Sequence, residues 1–213
     1  HKIFGAKTHK TKMKYRKRIA KLRLEIANLL KDSGSVGNEE AKQMTELDMF
    51  DQNASSPFFD PEWMFGLSSN NGGYFDIVIG NPPYVFARGN SFTKEEKKFF
   101  YENYKLASYQ INIYPIFIEK GDKLLKDRGV LSYIIPNNWL TLNTNKDLRE
   151  LILSKSNISI VNFYAKVFEN ASGDRSIVLY SKSKTSNPKI KLFEYEKDFI
   201  LIKEEQTNYF LNK

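Results

Sequence analysis

The chain has 213 residues, 41% of them apolar and 27% charged, with a net charge of +8. That length allows one domain, or one and a small appendage, and is enough to bury a real core. With no cysteine, a disulfide framework, thiolate chemistry and a cysteine-based zinc site are excluded. The two histidines, His1 and His9, both lie in a basic leader, so neither a histidine-based active site nor a metal site is expected. No run of about eighteen apolar residues offers a membrane span, and no apolar stretch follows the basic start as in a signal peptide. The expected location is therefore cytoplasmic. The start at His1 rather than Met reads as the beginning of an excised piece, or as a processed end.

The charge is uneven. Residues 1–31 carry eleven Lys or Arg and one Glu, so the leader is strongly basic and the remainder is close to neutral. Ile19, Leu22, Ile26, Leu29 and Leu30 recur at helical spacing and predict an amphipathic helix with a basic opposite face. That face reads either as a phosphate-contacting arm or as the solvated side of a connector helix. Residues 31–38 read as a loop, and 39–50 as a weak helix. Asp51 to Pro61 is rich in turn formers. Phe58, Phe59, Trp63, Met64 and Phe65 form an aromatic cluster expected to pack under a sheet. Asn70-Asn71-Gly72-Gly73 is a tight turn.

The next stretch, Phe75-Asp76-Ile77-Val78-Ile79-Gly80, predicts a short, fully buried strand of a parallel sheet. It stops at Gly80, and Asn81-Pro82-Pro83-Tyr84 continues as a stiff loop. In open α/β sheets, ligands bind at such carboxyl ends. The loop suits one chemical task. An exocyclic adenine amine is a poor nucleophile because its lone pair is delocalised into the ring. A site that accepts both N–H hydrogens returns density to the nitrogen. The Asn81 side-chain oxygen and the Pro82 carbonyl can each accept one, the latter pre-aimed by proline's fixed φ. Tyr84 offers a flat face to a flipped base. By itself, a Pro-Pro turn after a strand is as readily a plain chain stop.

Thr93 with Glu96 predicts a capping box opening a helix to about Tyr104. Arg88 and Lys94, in this neighbourhood, read as phosphate contacts or as ordinary surface charges. Tyr109 to Lys126 predicts a second helix, with Ile113, Ile116, Phe117, Leu124 and Leu125 on its buried side and Gly129 as a left-handed cap. Val130 to Ile135 predicts a second buried strand, completing a βαβ unit. The loop Pro136-Asn137-Asn138-Trp139-Leu140 then falls at the same edge as Asn81. Next come a helix from about Thr144, a strand Ile158–Tyr164, a loop with Phe168, and a strand Ser176–Tyr180. These last two strands are expected to close the sheet as an antiparallel edge. Residues 182–188 read as a linker, Lys189–Tyr195 as one more strand, and the charged remainder as the start of a further region.

The stretch from Phe75 to Val85 resembles motif IV of the S-adenosylmethionine-dependent amino-methyltransferases. Three later stretches, Asn112 to Lys126, Gly129 to Leu140 and Val167 to Ala171, resemble the segments downstream of that motif in DNA adenine-N6 methyltransferases, especially the combined restriction-modification enzymes of type IIG/IIS. The resemblance covers about residues 58–183. It implies an α/β fold: the C-terminal half of a Rossmann-like methyltransferase sheet, preceded by a helical N-terminal segment. It implies a basic helical leader or connector over 1–57, a methyltransferase core over 58–183, and a linker with the start of a following region over 184–213. Asn81, Pro82, Pro83 and Tyr84 would be the catalytic residues, and Phe168, Asn137 and Asn138 would bind the base. The cofactor would be S-adenosylmethionine and the partner double-stranded DNA, with no membrane association.

One departure stands out. The family's glycine-rich turn after a first strand, and the acid on a second strand, have no counterpart in residues 1–74. The chain is therefore expected to carry the adenine side of the site without most of the methyl-donor side. Two other functions fit parts of the pattern. Methyltransferases that modify a protein glutamine amide share the Asn-Pro-Pro-Tyr corner. A DNA-binding module without activity would account for the leader.

Overall fold

A computed structural model describes residues 5–34, 37–47, 59–69, 72–86, 91–107, 111–163, 167, 174–183, 188–195 and 197–206. The chain forms two units, divided between Asp60 and Pro61.

In the first unit, Thr8 caps helix α1 (His9–Asp32) by accepting from the Thr11 N–H at 3.2 Å, and helix α2 (Asn38–Glu46) comes next. The packed side of α1 is not the leucine stripe. Ala27 is buried, along with Ala41, Met44 and Leu47, and the Arg23 guanidinium donates to the Met44 carbonyl at 3.1 Å. Leu22, Ile26 and Leu29 are exposed, Leu29 by 68%. Small side chains at 27 and 41 suit close approach, so the helix turns its alanine side inward.

In the second unit, a short helix α3 (Pro61–Phe65) precedes strand β1 (Phe75–Gly80). Phe65 meets Phe75 edge-on at 6.1 Å but is largely exposed, so it does not form the expected core packing. Helix α4 (Lys94–Asn103) carries the complete capping box: Thr93 Oγ1 accepts from the Glu96 N–H at 3.1 Å, and Glu96 accepts from the Thr93 N–H at 2.7 Å. Helix α5 (Ile113–Leu124) leads directly into strand β2 (Leu125–Pro136). After two short 3-10 turns come helix α6 (Lys146–Leu153) and strands β3 (Ser156–Phe163), β4 (Arg175–Ser181), β5 (Lys189–Tyr195) and β6 (Phe199–Gln206).

The six strands form one mixed sheet in the order β1-β2-β4-β3-β5-β6, which gives the expected α/β fold class. β1 and β2 are parallel, as the βαβ reading requires. β3 and β4 are antiparallel, but they do not form the edge. β4 inserts between β2 and β3, and β5 pairs parallel to β3. The sheet thus continues past residue 183, through β5 and β6, into the stretch that reads in sequence as a linker and the start of a further region.

One face of the sheet is covered. Tyr114 and Ile118 of α5, Leu148 and Ile152 of α6, and Trp139 pack against Leu131, Tyr133, Ile135, Ile158, Ile160, Val178 and Tyr180. Val78 joins this core from β1, but Ile77 and Ile79 on the opposite face are 66% and 77% exposed. The prediction of a fully buried β1 is therefore corrected. Among the described residues the strand ends the sheet, paired on one side, and half its apolar residues face outward.

Two carboxylates of α5 itself are buried. Asp122 accepts from Lys155 Nζ at 2.7 Å and from the Tyr180 hydroxyl at 3.1 Å. Glu119 accepts from the Leu106 N–H at 3.0 Å and pairs with Lys123 at 2.8 Å. Burial works against the Glu119 charge, but these donors win and hold its carboxyl below the usual range. Phe117, expected inside, is exposed. The helix also ends earlier than predicted, and the left-handed residue after it is Arg128 (φ 66°), not Gly129. Gly129 serves close approach instead. A side chain there would lie 2.9 Å from the Lys126 carbonyl oxygen and 3.1 Å from that of Asp76.

Candidate active site

Three chain segments converge at the carboxyl ends of β1 and β2. The first is the loop after Gly80. Its start is fixed by the pairing of Gly80 with Tyr133, and its end by the Ile113 N–H, which donates to the Val85 carbonyl at 3.1 Å. Pro82 is buried, Asn81 and Pro83 are exposed, and Tyr84 is half-buried. The prolines cannot extend the ladder, so the chain leaves the sheet as a stiff corner.

Tyr84 is the most constrained member. Its hydroxyl lies 2.5 Å from Asn81 Oδ1 and 2.8 Å from the Ile134 carbonyl oxygen on β2. Its ring meets Tyr114 edge-on at 6.4 Å, and the Arg175 guanidinium sits over it at 4.9 Å. Burial raises the Tyr84 hydroxyl above its ordinary pKa, and the charge of Arg175 pulls the other way. Tyr114 is raised to about 12, chiefly by burial.

The second segment is the turn Asn137–Leu140. Asn137 Nδ2 donates to Asn162 Oδ1 on β3 at 3.1 Å, and Asn138 Oδ1 accepts from the Tyr114 hydroxyl at 3.2 Å. Trp139 is buried, with its indole N–H donating to Ser176 Oγ at 2.9 Å. Both asparagines thus tie the turn to its neighbours. The third segment is the start of β4, where Arg175 pairs with Pro136 and Phe163. Because β4 runs antiparallel, its first residue arrives at the ends of the parallel strands.

The structure thus brings Asn81, Pro82, Pro83, Tyr84, Asn137 and Asn138 to one end of the sheet. Phe168 and Arg88 lie outside the described residues, and Lys94 is exposed at the start of α4. Sequence reasoning misses Arg175. It is a single basic residue in a polar stretch, and only the β4 insertion carries it to Tyr84. A cavity of about 700 Å³ elsewhere, lined by Tyr101, Tyr104, Leu106, Glu119, Asp122 and Glu150 among others, includes none of these residues.

The paired glycines before β1 are not the glycine-rich turn that S-adenosylmethionine would need. They serve the chain's own packing. A side chain at Gly73 would lie 2.0 Å from the Leu125 carbonyl oxygen, and one at Gly72 would lie 3.0 Å from Asp127 Oδ1. No cradle is left there for a ligand. No helix among the described residues is long and apolar enough to cross a membrane.

Comparison with known proteins agrees with this geometry. Residues 2–168 match the model of the Eco57I restriction-modification methylase family. The chain belongs to that family. It is 30% identical over 116 residues to the type II restriction enzyme and methyltransferase RM.Eco57I of Escherichia coli, a match covering 53% of this chain and 12% of that protein. It is 27% identical over 100 residues to the adenine-specific methyltransferase PglX of Lacticaseibacillus casei, covering 47% of this chain and 8% of PglX. Among solved structures, the type IIG restriction endonuclease BpuSI is similar in fold, with a TM-score of 0.50 at 19% identity, covering 69% of this chain and 21% of BpuSI. The chain therefore spans only a small part of the relatives it matches.

Proposed function

We propose that this chain is the adenine side of a site-specific DNA adenine-N6 methyltransferase, working within a larger restriction-modification enzyme. The observation that carries the reading is the Asn81-Pro82-Pro83-Tyr84 corner, held at the carboxyl end of a parallel strand in a chain of this family. The exposed face of β1 supports it as well. With Ile77 and Ile79 exposed on its second face, β1 suits a sheet that further structure covers on that face. The adenine-specific name of one relative and the restriction-modification names of others agree with this choice of substrate.

In this reading the chain's groups act on a flipped adenine. Asn81 Oδ1 and the Pro82 carbonyl accept the two N6 hydrogens, so the nitrogen lone pair is drawn out of conjugation and aimed away from the ring. Proline's fixed φ limits where the Pro82 carbonyl can point, so less reorganisation is left to the reacting state. Tyr84 and Phe168 flank the base. S-adenosylmethionine, when bound, supplies an electrophilic methyl carbon, and groups outside the described residues would hold it. Double-stranded DNA is the macromolecular partner, and the basic leader is a candidate for phosphate contacts.

The test is Asn81→Ala in the intact enzyme, assayed by tritium transfer from labelled S-adenosylmethionine to unmethylated plasmid DNA. We expect turnover to fall by about 100-fold or more, the scale of losing one preorganised polar contact, with retention of DNA on filters unchanged. Turnover near the unmodified level would end the proposal.

A further inference from the structure

Tyr84 has one hydroxyl proton and two oxygen neighbours, Asn81 Oδ1 at 2.5 Å and the Ile134 carbonyl at 2.8 Å. One proton cannot serve both. The neighbours are not equivalent. A backbone carbonyl can only accept. A carboxamide rotated by half a turn about its last bond presents an NH₂ group where its oxygen stood, with almost the same outline.

Only one of the two arrangements leaves every group satisfied. In it, Tyr84 donates to Ile134, the Asn81 carboxamide turns and draws back from 2.5 Å to an ordinary N–H···O distance of about 2.9 Å so that its NH₂ donates to the phenol oxygen, and Asn81 Oδ1 turns to the far side. In the other, the phenol proton goes to Asn81 and the phenol and Ile134 oxygens face each other without a proton between them. Asn81 would then present donors where the substrate amine needs an acceptor. Holding two oxygens at hydrogen-bond distance without a proton forfeits the bond and keeps the desolvation cost.

The surroundings favour the first arrangement. The Arg175 guanidinium lies over the ring and also hydrogen-bonds the phenol oxygen, and a cationic donor on that oxygen improves the hydroxyl as a donor to Ile134. The edge-on Tyr114 ring and the arginine together limit swinging of Tyr84. Ile134 lies on β2 within the sheet and pairs with Ile177 of β4, so the anchor itself is rigid.

We propose that the Tyr84 hydroxyl is a positioning group. Anchored on the Ile134 carbonyl and steadied by Arg175, it sets the Asn81 carboxamide with its oxygen toward the substrate amine. This rests on the methyltransferase reading above, but it is separate from stacking, which requires only the ring.

Tyr84→Phe separates the two roles, because it keeps the ring and removes the hydroxyl. In the intact enzyme, with unmethylated plasmid DNA and labelled S-adenosylmethionine, kcat should fall by about tenfold, equivalent to roughly 1.4 kcal/mol. KM for the plasmid and filter retention should stay within about twofold. The Asn81 side-chain NH₂ resonances should also shift in the variant, because their acceptor is gone. A kcat within about twofold of the unmodified enzyme, or unshifted Asn81 resonances, would overturn the assignment. Asn81→Ala, run alongside, keeps the two ideas apart. If that variant retains turnover, the methyltransferase reading has failed. If it is inactive while Tyr84→Phe is normal, the positioning role alone has failed.

Discussion

Two polar clusters in the same sheet are built on opposite plans. On the buried side of α5, Asp122 has two oxygens and two donors, Lys155 and Tyr180, each in place. At the corner after β1, the Tyr84 hydroxyl has more acceptors than protons, and Asn81 is exposed. The first cluster is complete without any ligand. The second is settled only by which way a carboxamide turns. A saturated buried network rigidifies a fold, whereas a group left with an open valence at the surface is available for chemistry.

Substitutions should therefore separate stability from turnover. The largest expected effect is at Asp122. Its change to Ala strands the Lys155 charge and the Tyr180 hydroxyl, and should cost about 3–5 kcal/mol in chemical denaturation. Asn81→Ala should do the reverse, lowering transfer by about 100-fold or more with little change in the unfolding midpoint. Comparable loss of stability in both would erase the contrast.

Glu119→Gln is intermediate, at about 1.5–3 kcal/mol near neutral pH, because Leu106 and Lys123 lose a charged acceptor. The folded pKa of Glu119 lies below its ordinary 4.5, so its contribution is full above that value and fades as pH falls through the lowered one. The gap between variant and unmodified protein should close in denaturation curves taken at progressively lower pH. A constant gap would show that the charge is not what matters. The smallest effect is at the exposed face of β1. Ile79→Ser should change the stability of this chain by less than about 0.5 kcal/mol. Ile118→Ser, on the covered side, should cost about 2–5 kcal/mol by leaving a cavity.

Much of the local structure is legible in the sequence. The Thr93–Glu96 box, the stop at Gly80, the βαβ unit and the strand Lys189–Tyr195 obey short-range rules that tertiary packing does not overturn. The failures share a cause. Leu124-Leu125-Lys126 suits the end of a helix and the start of a strand equally, and β2 takes Leu125. A left-handed Arg128 has no local signal; its backbone N–H bonds the Lys182 carbonyl at 2.8 Å, across a long sequence gap. The leucine stripe of α1 reads as its contact face, but Ala27 is the residue that allows close approach. At the site, the corner itself is plain, yet Arg175 and the Ile134 carbonyl reach Tyr84 only through the strand order. β6 escapes a sequence reading because the charged residues after Phe199-Ile200-Leu201-Ile202 obscure its pattern.

That last strand has a practical consequence. β6 closes the far side of the sheet, and its four consecutive apolar residues from Phe199 to Ile202 are all exposed. A greasy border with no strand beyond it among the described residues invites a like border from another molecule. Handled by itself, this polypeptide should be prone to growth into chains of sheets, and lysines at 200 and 202 would be the natural gatekeepers.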